Sequence, residues 1–196
     1  MSLPICNYGD PVLRAKGSRI ENFDDDLDQL IEAMLETMDE AQGVGLAAQQ
    51  IGKAIQLTVI DVSPVEDRPS TMKVKGEEVD PKDFMPLILI NPELKPFGER
   101  VPGPEGCLSF PEVYDEVTRQ ESVTVKAQDE DGESIEFECG GLLARVVQHE
   151  TDHLNGILFI DRMDREAKAR HREAIDAIQK ATKEALKKAR EEQAAD

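Results

Sequence analysis

Residues 141–154, GLLARVVQHETDHL, constrain the fold most tightly. Their spacing predicts a helix, and apolar residues fall on more than one of its faces, so other elements must cover it on several sides. The same segment carries two histidines and two acidic residues. Burying such groups without partners costs several kcal/mol, by the general penalty for desolvating polar groups. A fold that accommodates this segment must wrap around it and give its polar side chains a task. With 196 residues the chain is long enough for one domain with an appendage, and for a core that needs no disulfide staples.

The histidines and one acid form HETDH, residues 149–153. On a helix His149 and His153 lie one turn apart and point the same way, so both imidazoles can reach one metal ion. Glu150 lies on nearly the same side, where a carboxylate can accept a proton from water at that ion. A hydrolytic metal site needs a third protein ligand and one open position. Downstream, His171 reads as a solvated surface residue, and Asp161 and Asp164 belong to an ordinary helix-start pattern. Upstream, EGCLSFP (105–111) places Cys107 after Gly106, which allows close backbone approach. A thiolate there suits Fe(II), Zn(II) or Co(II), yet a lone cysteine is as often a small buried filler. The residues alone leave both readings open. Cys6 and Cys139 read as fillers, and three cysteines are too few for a disulfide framework, which points to a reducing compartment. In GVGLAAQQ (43–50) the small residues let a substrate backbone lie close. Gln49 or Gln50 can offer an amide N–H to a developing oxyanion.

The remaining pattern is mixed. Residues 24–41 predict an amphipathic helix, with Leu27, Leu30, Ile31, Met34, Leu35 and Met38 on one face. A glycine-rich turn follows, then strand-like IQLTVID. Residues 62–86, with four prolines among many charges, read as a long surface loop. LILINPEL resumes as a strand. Alternation over 113–138 with Asp131-Gly132 predicts a hairpin. Residues 164–192 read as one long charged helix.

The net charge is −18, so the body repels nucleic acid and anionic membrane surfaces. No apolar stretch approaches the roughly 20 residues of a membrane span, and the N-terminus lacks a secretory pattern; a soluble intracellular protein is expected. The charge is uneven. Residues 161–196 hold 10 basic and 9 acidic side chains, against 13 and 32 in the first 160.

GVGLAAQQ, EGCLS and QHETDHLNG, in this order and spacing, resemble the three signature motifs of peptide deformylases, and the N-terminal YGDPVLR is also typical. The resemblance covers residues 1–163. It implies an α+β fold in which antiparallel β-sheets surround a central buried HExxH helix, followed by a long C-terminal helix. It divides the chain into a catalytic domain, 1–163, and a charged helical extension, 164–196. It implies removal of the formyl group from the formyl-methionine of newly synthesised polypeptides. Cys107, His149 and His153 would then be metal ligands, with water in the fourth position and Glu150 as general base and acid. The Gln50 side chain and the Leu108 backbone N–H would hold the oxyanion. Val44, Gly45 and Gly106 would line the substrate strand, and Val146 would wall the methionine pocket. The implied metal is Fe(II) in cells, with Zn, Ni or Co in purified protein.

The chain departs from the compact bacterial pattern in the longer 62–86 stretch. It also departs in FPEVYDEVTR after EGCLS, which resembles plant-organelle and related bacterial members and places Tyr114 near the pocket. Glu105 and Arg119 are candidates for a pair that holds the loop; the plainer reading is two surface charges. The implied partners are N-formyl-methionyl peptides of nascent chains and, through residues 165–190 with nine basic side chains against four acidic, the ribosome. No specific nucleic acid and no membrane is expected. A bacterial cytoplasmic setting is expected, with an organellar origin also open. The competing functions are an HExxH peptidase that cuts internal bonds and an inactive metal-binding module on the ribosome.

Overall fold

In the computed structural model, which describes residues 2–194, α1 (Asp25–Glu40) begins where three aspartates meet a capping one. The Asp24 side chain accepts the Leu27 N–H at 3.1 Å, and Asp25, Asp26 and Asp28 sit in the first turn, where the helix dipole favours anions. Leu27, Ile31, Met34 and Met38 are buried against Leu46, Leu57, Val59 and Ile90; Leu30 and Leu35 pack beside them. This is the face expected from the spacing. Residue 1 and residues 195–196, the outer ends of the two expected units, lie outside the described residues.

The strands are β1 (Gly45–Ala47), β2 (Leu57–Ile60), β3 (Ser70–Val74), β4 (Glu77–Val79), β5 (Leu87–Gly106), β6 (Tyr114–Gln128) and β7 (Ser134–Gly140). Among the described residues they form one antiparallel sheet in the order β1-β2-β5-β6-β7-β3-β4, where several sheets were expected. The sheet bends around α2 (Gly141–Leu154), which contacts β1, β2, β3, β6 and β7. Every α2 residue except Gly141 and Asp152 is buried. The segment expected to need cover on several sides has it.

Two stretches differ from expectation. The glycine-rich turn at 43–52 contains a short strand, β1, and a 3-10 turn over Ala48–Ile51. Within 62–86, where a loop was expected, β3 and β4 form a hairpin that adds to β7. Its two-residue turn, Lys75-Gly76, has both φ values positive, 52° and 85°, which matches the strand twist. Met72 anchors it, buried beside Cys139 and Leu142. The prolines that suggested a loop lie outside these strands, at positions 64, 69, 81 and 86.

Strand β5 runs far beyond LILINPEL. Its first residues, 87–90, pair with β2 on one side; from Glu93 onward it pairs with β6 alone. Pro96, Pro102 and Pro104 fall in that second part, where one edge needs no N–H donor. After α2, Phe159–Arg162 forms the short α3 and Arg165–Gln193 the long α4. Ala167 and Ile175 of α4 are buried with Leu13, Phe110, Val117, Phe159 and Met163, and Ile178 packs against them. The first turns of α4 therefore belong to the body. His171, expected to be solvated, is half-buried with Nε2 2.9 Å from Asp115 Oδ2, and Arg170 binds the same carboxylate.

Candidate active site

One turn of α2 carries His149 and His153 toward the end of β5, where Cys107 follows Gly106. The Cys107 sulfur and one ring nitrogen of each histidine lie within 4.8 Å of one another. His153 Nε2 is 3.2 Å from Cys107 Sγ. The upstream cysteine is thus the side chain that joins the histidine pair. Asp161 instead pairs with Arg14, Asp164 caps α4, and His171 faces Asp115. Cys139 is buried in a strand, and Cys6 packs beside Leu13 and Phe110.

The protonation pattern suits a metal. His149 sets Nδ1 3.0 Å from Glu105 Oε2; with Nδ1–H donating to that carboxylate, the Nε2 lone pair is left for an ion. Burial alone would lower the His149 pKa, but hydrogen bonds with Cys107 and Glu105 outweigh it and raise it to about 10. A divalent ion would take the place of that proton. Burial, reinforced by the charge on His149, holds His153 well below its ordinary value, so it is neutral with one ring-nitrogen lone pair available. His153 Nδ1 is buried without a hydrogen-bond partner. One thiol and two imidazoles are a donor set for a divalent transition ion.

Glu150 is buried, and its Oε2 has no hydrogen-bond partner. Burial raises its pKa to about 7 against the opposing pull of His149 and Arg119. A carboxyl group poised there can both take and return a proton near neutral pH. Gly45 makes its position possible: a Cβ on residue 45 would lie 2.5 Å from Glu150 Oε1. The glycine therefore makes room for Glu150 as well as lining the cleft. Gly106 is similar, since a Cβ there would lie 2.3 Å from the Tyr114 ring.

Gln50 Oε1 accepts the Ala47 N–H at 2.9 Å, which turns its Nε2 toward Cys107 Sγ at 3.6 Å and Ser109 Oγ at 3.4 Å. Gln49 lies instead against Gly17 and Ile55. Between the two glutamines, Gln50 is the one that faces the trio. Leu108 sits in the turn closed by Phe110 N–H on the Cys107 carbonyl at 2.9 Å. These groups open onto a cleft of about 670 Å³ lined by Val44, Gly45, Gln50, Gly106, Cys107, Leu108, Tyr114, Val146, His149 and Glu150. All of the expected site residues except His153 line it; His153 is buried, next to Cys107. Leu142, Arg145 and Arg68 line it too.

Glu105 and Arg119, expected as ordinary surface charges or a loop pair, form a buried network. Arg119 grips Glu105 through Nε at 2.5 Å and Nη2 at 3.0 Å, and Asp152 through Nη1 at 2.8 Å. Arg145 adds 2.8 Å to Glu105 and 2.6 Å to the Val117 carbonyl. Sequence reasoning missed Arg145. Its signal was a charge inside the apolar run LLARVV, which requires a partner. Burial would raise the Glu105 pKa, but the hydrogen bonds from His149 and Arg119 prevail and lower it to about 2. A folded pKa below the unfolded value of about 4.5 means a stabilisation present above pH 4.5 and lost as pH falls toward 2. Glu105→Gln should cost about 3–5 kcal/mol, because two guanidinium groups lose their buried carboxylate. It should also weaken metal affinity roughly 10- to 100-fold by freeing His149. Urea unfolding of the metal-free variant and metal titration check the two effects separately.

Comparison with known proteins agrees with this geometry. The family model described as polypeptide deformylase matches residues 2–169. Peptide deformylase of Opitutus terrae is 47% identical over 189 residues, covering 95% of this chain and 98% of that protein. The chloroplastic/mitochondrial peptide deformylase 1B of Arabidopsis thaliana is 40% identical over 179 residues, 91% of this chain and 60% of that longer protein. Among solved structures, a peptide deformylase of Synechococcus elongatus in complex with actinonin has a TM-score of 0.75 at 40% identity. That match covers 87% of this chain and 86% of the other. The enzyme of Thermotoga maritima has 0.72 at 40%, over 84% and 99%. With its trio of donors, its cleft and a family match over nearly its whole length, the chain belongs to the polypeptide deformylase family.

Proposed function

We propose that this chain hydrolyses the formamide of N-formyl-methionyl peptides in the cleft beside Cys107, His149 and His153, with Glu150 as the proton carrier. The observation that carries this reading is the meeting, in one cleft, of a Cys/His/His donor set and a buried carboxyl with an unpartnered oxygen. A bound divalent ion supplies Lewis acidity, bringing the pKa of water toward about 7 and polarising a carbonyl. Glu150 accepts the proton of the attacking water and returns it to the leaving amine, giving formate and a free methionine N-terminus. The Gln50 amide and the Leu108 N–H stabilise the developing oxyanion, each such donor contributing about 100- to 1,000-fold in rate. Val146 and Leu142 supply apolar wall for the methionine side chain. β1 is an edge strand of the sheet, so an extended peptide can add beside Val44 and Gly45 through main-chain bonds that ignore sequence. We assign Fe(II) as the ion used in cells, with Zn, Ni or Co as substitutes in purified protein.

The test is amine release from formyl-Met-Ala-Ser by metal-loaded protein. Release of methionyl peptide and formate is expected. Cleavage of an internal peptide bond instead would make the chain a peptidase.

We further propose that residues 1–163 act as the catalytic unit, in a bacterial cytoplasmic setting, and that α4 meets the ribosome. Beyond the packed turns around Ile175, α4 projects Lys180, Lys183, Lys187, Lys188 and Arg190, all of them exposed. Phosphates attract such an arm, while the acidic body opposes approach. Removing residues 180–196 should preserve formyl-peptide cleavage and reduce salt-sensitive co-sedimentation with ribosomes. Equal co-sedimentation at low salt would exclude this role.

A further inference from the structure

A second cavity, about 490 Å³, lies on the side of α2 away from the cleft. Its polar lining includes Arg100, Arg119, Arg162, Asp152, Gln120 and Thr151. Three guanidinium groups thus surround one carboxylate in a molecule whose net charge is −18. Asp152 is fully engaged: Arg119 binds it at 2.8 Å and Arg162 at 2.7 Å. Arg119 is held on both sides, since its other nitrogens bind Glu105. Arg100 is different. It is exposed and has no ion pair or side-chain hydrogen bond among the described residues. Arg162 is 45% exposed and keeps donors facing solvent. Thr151 is 92% buried, and its hydroxyl has no hydrogen-bond partner; the amide oxygen of Gln120, which lines the same cavity, is buried and equally unpartnered. Buried polar atoms are rarely left so, and an orphaned hydroxyl in a cationic cavity marks the place of a missing acceptor.

We propose that this cavity is a binding site for a small oxyanion, phosphate or carboxylate, held by Arg100 and Arg162 with the Thr151 hydroxyl as a third donor. Guanidinium forks match the paired oxygens of such anions, and partial enclosure strengthens the contact. The Gln120 amide oxygen cannot bind an anion directly, so it faces a protonated oxygen of the ligand or a water beside it. The site does not depend on the chemistry of the cleft. It is nevertheless one side chain away from it, because Arg119 touches both Asp152 and Glu105, and Glu105 holds His149.

The experiment is an amide-resolved NMR titration of the full, zinc-loaded chain with inorganic phosphate, and separately with acetate, at constant ionic strength set by chloride. Saturable shifts at Thr118, Gln120, Thr151 and Arg162 are expected. Shifts with phosphate alone identify a phosphate site, and shifts with both anions a general oxyanion site. Arg100→Gln has no partner to lose and leaves the fold untouched; it should weaken binding at least about tenfold, as loss of a charge-assisted contact does. Arg162→Gln should do the same. Anion binding at the zinc itself is recognised by shifts at Gly45 and Leu108 that survive both substitutions. The proposal is overturned if only those cleft amides respond, if the cavity amides follow chloride equally, or if Arg100→Gln titrates like the parent protein.

Discussion

Glu150→Gln is expected to lower kcat for formyl-Met-Ala-Ser by at least about a hundredfold while metal content stays at one ion per chain. The substitution keeps the shape of the side chain and removes its capacity to carry a proton, and positioned acid–base groups contribute about 10²–10⁴ in rate. Cys107, His149 and His153 are untouched, so metal retention is the control. The pH profile follows from the same carboxyl. Burial raises its pKa to about 7, and a bound cation pulls it down, so kcat/KM should rise with pH through an apparent pKa at or below about 7. Stability should move in the opposite sense to activity. An acid whose folded pKa lies above its unfolded value costs stability once the pH passes that unfolded value. In metal-free protein at pH 8 the Gln variant should therefore melt higher. Full activity in a metal-loaded Glu150→Gln protein would assign the proton transfer to another group.

Cys107→Ala should abolish stable metal retention and activity together. Two imidazoles one helical turn apart remain, and two ligands do not hold a hydrolytic ion in competition with water. Cys6→Ser and Cys139→Ser should keep both, since neither sulfur belongs to the group of donor atoms that can share one ion. Burial pushes the Cys6 thiol up to about 11 and the Cys139 thiol up to about 12, so neither offers a thiolate at neutral pH. Peroxide should inactivate the parent protein as Cys107 oxidises to species that are no longer thiolate ligands. Metal analysis after gel filtration reads the first effect, and the deformylation assay reads the second. A metal-full, active Cys107→Ala protein would remove the thiolate from the account.

The parts of the molecule legible in the sequence are those whose chemistry is local. His149, Glu150 and His153 share one helical turn, so their common face follows from spacing alone. Leu27, Ile31, Met34 and Met38 announce α1 in the same way. Cys107 was different. Nothing local distinguishes it from a buried filler, and its role came from resemblance to a family motif before the structure placed it 3.2 Å from His153. The Glu105–Arg119–Arg145 network was illegible as a buried unit because its partners lie 14 and 40 residues apart and meet only after the sheet closes around α2. The β3–β4 hairpin was hidden by the prolines on either side of it, although Lys75-Gly76 and the buried Met72 carried the signal. The length of β5 was hidden for a related reason. Prolines argue against a central strand, and most of β5 is bonded on one side only.

The central claim is that one divalent ion at Cys107, His149 and His153 makes this chain a deformylase. Anaerobic titration of metal-free protein with Fe(II), following formate release from formyl-Met-Ala-Ser, tests it most directly. The rate should rise linearly to one equivalent of iron per chain and then stay level. Formate release by the metal-free protein equal to that of the loaded protein would contradict the claim.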